Sequence, residues 1–203
     1  MSRSEALAVP VGDEGFRPPA PGDVPAGDAD ARADPARVRA IVTEHFEFVW
    51  RSLVRLGVPR QDADDALQQV FLVASRKLGS IEVGRERAFL FGTALRLASR
   101  ARRTQRRRRE VLDGVPIEYL DPGPAVDDLL DRARDLAVVE GILDAMPLEL
   151  RAVFVLFELE QMTMAEIAAL LDLPAGTVAS RLRRAREQFQ AAVRRLSARG
   201  RAP

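Results

Sequence analysis

The sequence predicts an all-α protein: two small helical domains joined by a flexible acidic linker, the second containing a helix-turn-helix. Three observations carry that prediction. Apolar residues recur at helical spacings of three and four through most of the chain. Capping residues, prolines and glycines fall where those periodic runs begin and end. Residues 163–189 read as two amphipathic helices separated by a turn of only a few residues.

That last stretch organises the rest. Thr163 and Glu166 form a capping-box pattern, and Ile167, Leu170 and Leu171 then give a short helix one apolar face. The pattern breaks from Asp172 to Gly176. Pro174 has no amide hydrogen and cannot continue the first helix, yet it suits the opening of the next. A second helix from near Ala175 stacks Val178, Leu182, Ala185 and Phe189 on an inward face. Ala179, Ser180, Arg183, Arg184 and Glu187 occupy the other side. A short helix, a tight turn and a longer helix with a small, polar and basic face is the arrangement that lays its second helix in the DNA major groove.

Composition narrows the field. A chain of 203 residues can form one domain or two small ones. It has no cysteine and only one histidine, His45, which excludes a disulfide framework, a thiolate metal site and a histidine cluster. No apolar run approaches the ~20 residues of a membrane span, and the N-terminus lacks the basic-then-apolar pattern of a secretory signal. A soluble, cytoplasmic protein is expected. Phosphate-cradling glycine loops, nucleophile triads and metal-ligand clusters are absent, so we expect no catalytic residue, no metal, no cofactor and no enzyme activity.

The net charge of +1 conceals a strong segregation. Residues 1–33 carry six acids and three bases, and residues 34–110 nine acids against seventeen bases. Residues 111–140 then carry eight acids and two bases, and residues 141–203 seven acids and nine bases. Two basic segments flanking an acidic one imply two separate polyanion contacts.

Taken in order, residues 1–33 are rich in proline and glycine, lack large apolar anchors and read as a disordered leader. Asp34-Pro35 is a cap followed by a first-turn proline, opening a helix that runs to about Leu56 before Gly57. Its expected inward stripe is Val38, Ile41, Val42, His45, Phe46, Val49, Trp50, Leu53 and Val54. A second helix spans about Arg60 to Leu78, with Asp62, Asp64 and Asp65 at the positive end of its dipole. A third runs from about Arg85 to Arg109, with Phe89, Leu90, Phe91, Ala94, Leu97, Ala98 and Ala101 on its inner side. Beyond Arg96 it becomes intensely basic: Arg100, Arg102, Arg103, Arg106, Arg107, Arg108 and Arg109 fall within ten residues. Seven cations without intervening acids repel one another unless an anion neutralises them, and phosphate backbone is the natural candidate. Residues 111–135, acidic and broken by Pro116, Pro122, Gly123 and Pro124, read as the linker. Leu136, Val139, Ile142, Leu143 and Met146 resume a helical face that Pro147 ends, and a supporting helix follows from Leu148 to about Glu160.

Several of these segments resemble one family. Gly176-Thr177-Val178, Ser180-Arg181-Leu182 and Arg184-Ala185-Arg186, preceded by Glu166-Ile167-Ala168 and Pro147, resemble the promoter-reading domain of bacterial RNA polymerase sigma factors. Within the sigma-70 family the likeness is greatest to the extracytoplasmic-function group, and it covers roughly residues 38–197. The resemblance implies that the second helix reads an upstream promoter element near minus thirty-five through Thr177, Ser180, Arg181, Arg183, Arg184 and Arg186. Of these, Ser180, Arg183 and Arg184 would reach base edges, while Arg181 and Arg186 position the backbone. Ala179 stands where the family often has a basic residue.

In the first domain, Asp62-Ala63-Asp64-Asp65 and Gln68-Gln69-Val70-Phe71 are similar to the segment that grips the clamp helices of core polymerase. Asp65, Gln68, Gln69 and Leu72 would then face the polymerase, with Gln69 where the family often has glutamate. Phe89-Leu90-Phe91 and Ala94-Leu95-Arg96 occupy the segment that opens a downstream element near minus ten, without the family's usual tryptophan and asparagine. Phe89, Arg96, Arg100, Arg103 and Arg107 are the implied contacts there; Phe91 is read as core, and Phe89 as either core or a base-stacking group.

The implied architecture is a leader (1–33), a region-2-like domain (34–110), a linker (111–135) and a region-4-like domain (136–199). The implied partners are core RNA polymerase, promoter DNA and an anti-sigma factor. The alternatives are a dimeric helix-turn-helix regulator that is not a polymerase subunit, and a module kept only to bind a partner protein.

Overall fold

The computed structural model describes residues 34–111 and 128–199; the disordered leader expected over 1–33 and residues 112–127 of the linker expected over 111–135 lie outside them. The described residues form seven α-helices and no strand: α1 (Pro35–Arg55), α2 (Arg60–Arg76), α3 (Glu86–Val111), α4 (Asp128–Asp144), α5 (Leu148–Phe154), α6 (Met164–Leu171) and α7 (Ala175–Arg199).

The ends of α1 follow from its sequence. Asp34 accepts the Ala36 amide at 2.9 Å, and Pro35 takes the first helical position, where no amide is needed. At the other end Gly57 has φ +100°, which lets the Val58 amide reach Leu53 O and the Gly57 amide reach Val54 O, both at 3.0 Å. This is a Schellman ending, and the accompanying apolar pair, Leu53 and Val58, is buried. Three of the last carbonyls of α1 are thereby satisfied from within, since the Leu56 amide takes Ser52 O. The Arg55 carbonyl is left over.

α1 packs against both α2 and α3, and that double contact corrects its expected stripe. Phe46 is 43% exposed, whereas Phe48 is buried, its ring 5.9 Å from Phe91 with the Arg87 guanidinium 4.1 Å above it. Ile41, Phe48, Val49, Ser52, Leu53 and Leu56 are buried, so the predicted Ile41, Val49 and Leu53 hold, with Val38 and Trp50 packed beside them, while Phe48 and Ser52 enter the seam and Phe46 leaves it. His45 is half-buried beside it. Between α2 and α3 a 3-10 turn (Leu78–Ser80) begins a loop held by Arg37, which donates to Ile81 O at 2.6 Å and pairs with Glu86 at 3.2 Å.

In the second half, α4 begins at Asp128, inside the stretch expected to be linker. From Asp128 to Glu140 the sequence has neither proline nor glycine, so once Pro124 is passed nothing opposes a helix. The supporting helix is also shorter than expected: α5 ends at Phe154 and passes into a π-helical turn, Val155–Leu159. The capping box at α6 forms as predicted. Thr163 Oγ1 accepts the Glu166 amide at 3.3 Å, and the Glu166 carboxylate accepts the Thr163 amide at 2.7 Å, a backbone bond that chiefly holds its pKa below the usual range. Replacing Thr163 with alanine is expected to cost about 1 kcal/mol, read from urea unfolding of the full chain.

The two halves share one apolar core. Leu148, Ala152, Val153, Leu156 and Ile167 join a cluster that includes Leu53, Leu90, Phe91 and Leu95, with α6 lying on α3. A smaller cluster, Leu143, Met146, Leu150, Phe154 and Ala185, with Phe189 stacked on Phe154 at 5.1 Å, ties α4 and α5 to α7.

Candidate nucleic-acid interface

Asp172 adopts a left-handed conformation (φ 53°), one that aspartate tolerates, and this ends α6 so that Pro174 can open α7. Val178, Leu182 and Ala185 are buried, which fixes the rotation of α7 and sends Ser180, Arg183 and Arg184 into solvent. The Ser180 hydroxyl donates to Thr177 O at 3.0 Å, leaving its lone pairs outward, and Thr177 is half-buried. Arg183 pairs with Glu187 one turn on at 2.6 Å, both groups being exposed. An ion pair this exposed is readily exchanged for a phosphate or a base edge.

Arg181 and Arg186 sit differently from the other cations. Arg181 is half-buried, and burial holds its guanidinium below the ordinary arginine value against the opposing pull of Glu149. Arg186 stacks over Phe157 at 4.9 Å and pairs with Glu158 at 2.6 Å, so it is tied back toward the supporting segment. Both face the flank of α7 rather than its crest.

On α3, Arg96, Arg100, Arg103 and Arg107 follow at spacings of four, three and four, one stripe about 16 Å long. Arg100, Arg103 and Arg107 are exposed; Arg96 is half-buried and donates to Thr93 Oγ1 at 2.9 Å. Burial, with Arg100 acting in the same direction, lowers the Arg96 pKa. Phe91 is fully buried, and Phe89 is half-buried against the core.

α2 presents a third surface. Ala63, Leu67, Val70 and Ala74 are buried, which leaves Asp65, Gln68, Gln69 and Leu72 along the opposite side, all exposed. Leu72, 48% exposed, is an apolar residue set in a polar stripe.

Comparisons with known proteins match both halves of the chain. A model of Sigma-70 region 2 matches residues 41–108, and one of Sigma-70 region 4 matches residues 136–189. The chain is 33% identical over 180 residues to the ECF RNA polymerase sigma factor SigE of Mycolicibacterium smegmatis, spanning 84% of this chain and 68% of that one. The chain belongs to the ECF group of RNA polymerase sigma factors. Over 167 residues this sigma factor is also 33% identical to the ECF RNA polymerase sigma-E factor of Escherichia coli K12, covering 77% of it and 86% of the relative. Among solved structures, CnrH in complex with the cytosolic domain of CnrY superposes with a TM-score of 0.59 at 26% identity, over 82% of this chain and 97% of that chain. The Bartonella quintana sigma factor RpoE in complex with the anti-sigma factor NepR gives 0.57 at 23% identity, over 78% and 97%, a likeness of fold.

Sequence reasoning missed one group of residues. Arg151, Asp144 and Glu160 of the second half meet Arg51, Arg55 and Arg102 of the first; of these only Arg102 had been singled out, as part of the basic run expected to meet phosphate. The available signal was Arg151 itself, an arginine inside the apolar run from Leu148 to Leu156. A charge there needs buried partners.

Proposed function

We propose that this ECF sigma factor docks on core RNA polymerase through Asp65, Gln68, Gln69 and Leu72 of α2. The α3 stripe of Arg96, Arg100, Arg103 and Arg107, with Phe89, then engages the downstream promoter element. α7 reads the upstream element, with Ser180, Arg183 and Arg184 toward base edges and Thr177, Arg181 and Arg186 toward the backbone. The single observation that carries this reading is the joint exposure of Asp65, Gln68, Gln69 and Leu72 on α2, of Arg100, Arg103 and Arg107 on α3, and of Ser180, Arg183 and Arg184 on α7, each set within a matched sigma-70 region. Its work is binding and positioning in the cytoplasm, with no catalytic residue of its own, across a region-2 domain (34–110) and a region-4 domain (136–199). An anti-sigma factor is a natural further partner, because one of the solved neighbours was captured with such a protein.

Run-off transcription with purified core polymerase on a genomic fragment library tests the whole. Discrete start sites that need this chain support it; binding to duplex without polymerase-dependent initiation favours the regulator alternative. Within that assay Arg184→Ala should cost about 1–3 kcal/mol in promoter affinity and relax selectivity within the upstream element. A uniform loss across sequences would make Arg184 a phosphate clamp instead.

A further inference from the structure

Arg183 and Arg186 of α7 each hold a carboxylate, but by different atoms of the guanidinium. Arg183 gives Nη1 to Glu187, so a phosphate arriving at that edge must first displace the acid. Arg186 gives Nε to Glu158 Oε1 at 2.6 Å, while its Nη1 and Nη2 take no partner among the described residues and its side chain is 46% exposed. The Arg186 Cζ also lies 4.9 Å from the centre of the Phe157 ring. The ring sets the plane of the guanidinium, and the carboxylate sets its rotation within that plane. What remains is the Nη1–Nη2 edge, a fork that matches two oxygens of one phosphate.

Both partners of Arg186 belong to the π-helical turn at Val155–Leu159, and that turn is fastened from each side. The Glu160 amide closes it on Val155 O at 3.0 Å, and the Met162 amide takes Leu156 O at 3.0 Å. Gln161 has a left-handed backbone, φ 54°, unusual for a residue with a side chain, and from there its Nε2 donates to Glu158 O at 2.7 Å. Val155 and Leu156 are fully buried, and just before them Phe154 stacks on Phe189 of α7. A single π-helical turn of this kind is a frequent mark of a functional site.

The geometry points to Phe157 and Glu158 as positioning residues that make Arg186 a preformed clamp for one backbone phosphate of the upstream element. This deepens the proposed function and rests on it. A loose arginine gives up the freedom of its long side chain when it binds, whereas one already stacked and pinned gave it up on folding. The Glu158 carboxylate repels the phosphate, but only across the width of the guanidinium and through water, where salt screens it. Arg186 faces the flank of α7 while Ser180, Arg183 and Arg184 hold its crest, so the ligand is backbone and not a base edge.

The test uses holoenzyme assembled from core polymerase and the full chain, titrated against a labelled promoter duplex recovered by run-off and read by anisotropy across a KCl series. Glu158→Gln keeps an acceptor for Nε, Glu158→Ala does not, and both remove the charge, so their comparison isolates orientation. The Gln variant should bind about 2- to 10-fold more tightly than the Ala variant. Their slopes of log affinity against log salt should match, since the same phosphate is neutralised, whereas Arg186→Ala should lower the slope by about 0.9. Combined with Arg186→Ala, the two Glu158 variants should bind alike. Phe157→Leu keeps an apolar contact without a ring face and should weaken binding by a similar factor, again only while Arg186 is present. Equal binding by the two Glu158 variants overturns the clamp. So does a difference that survives Arg186→Ala, which would make Glu158 a structural residue only. Circular dichroism checks each fold; should Glu158→Ala unfold, Phe157→Leu carries the decision, and no loss there overturns the clamp likewise. A wild-type holoenzyme that initiates at no discrete site overturns the proposed function itself, a result distinct from normal initiation with indifferent Glu158 variants.

Discussion

A chain carrying Leu72→Glu keeps its fold and loses promoter-dependent transcription. Leu72 is 48% exposed in the free protein, so a carboxylate there remains solvated and the stability change stays within about 0.5 kcal/mol. On the polymerase the same position would be covered. Burying an unpaired carboxylate in place of a leucine costs about 2–4 kcal/mol or more, about 30-fold to 1000-fold in affinity. Leu72→Ala gives up only the apolar contact, about 1.5–3 kcal/mol at full burial. Phe46→Glu is the matched control, an exposed apolar residue on α1, outside the polar stripe of α2. Anisotropy of the labelled chain titrated with core polymerase should separate the three, with Leu72→Glu weakest, Leu72→Ala intermediate and Phe46→Glu near wild type. Equal binding by Leu72→Glu and wild type would remove α2 from the interface.

What could be read in advance was whatever the local chain decides. Asp34-Pro35 fixes the start of α1, Thr163 with Glu166 fixes the start of α6, and the buried face of α7 follows from periodicity because it has one apolar side. Where a face is so defined its complement is defined too, so Ser180, Arg183 and Arg184 are exposed as the pattern of α7 requires; Asp65, Gln68, Gln69 and Leu72, which only the family resemblance had singled out, are exposed as well. Phe48 was missed in favour of Phe46 because α1 has two neighbours, and periodicity fixes the width of an apolar stripe less firmly than its direction. The arginine seam was illegible for a different reason. Its main acceptors are backbone carbonyls at the ends of α1 and α4, which every residue carries and no side-chain pattern marks. The same tertiary contacts separate Arg186, drawn to Glu158 and Phe157, from Arg184, although the two are equivalent in composition.

Gly57→Val should destabilise the chain by about 2–6 kcal/mol, well beyond Gly84→Val. Both glycines have positive φ, +100° and +87°, so both substitutions carry backbone strain of about 1–3 kcal/mol. Only Gly57 has neighbours: an added Cβ would meet Arg151 Nη1 at 3.0 Å, whereas at Gly84 nothing lies within 4 Å. Arg151 is buried and bonded at both ends of its guanidinium, so yielding costs it those bonds, and overpacking adds about 1–3 kcal/mol. Urea unfolding of the two variants beside wild type isolates that second part, because the backbone strain largely cancels in their difference. Equal losses would mean that the arginines over Gly57 move aside freely and hold nothing. The other route to relief is for the two halves to part, and the excess at Gly57 is then capped at the free energy of the contact between them.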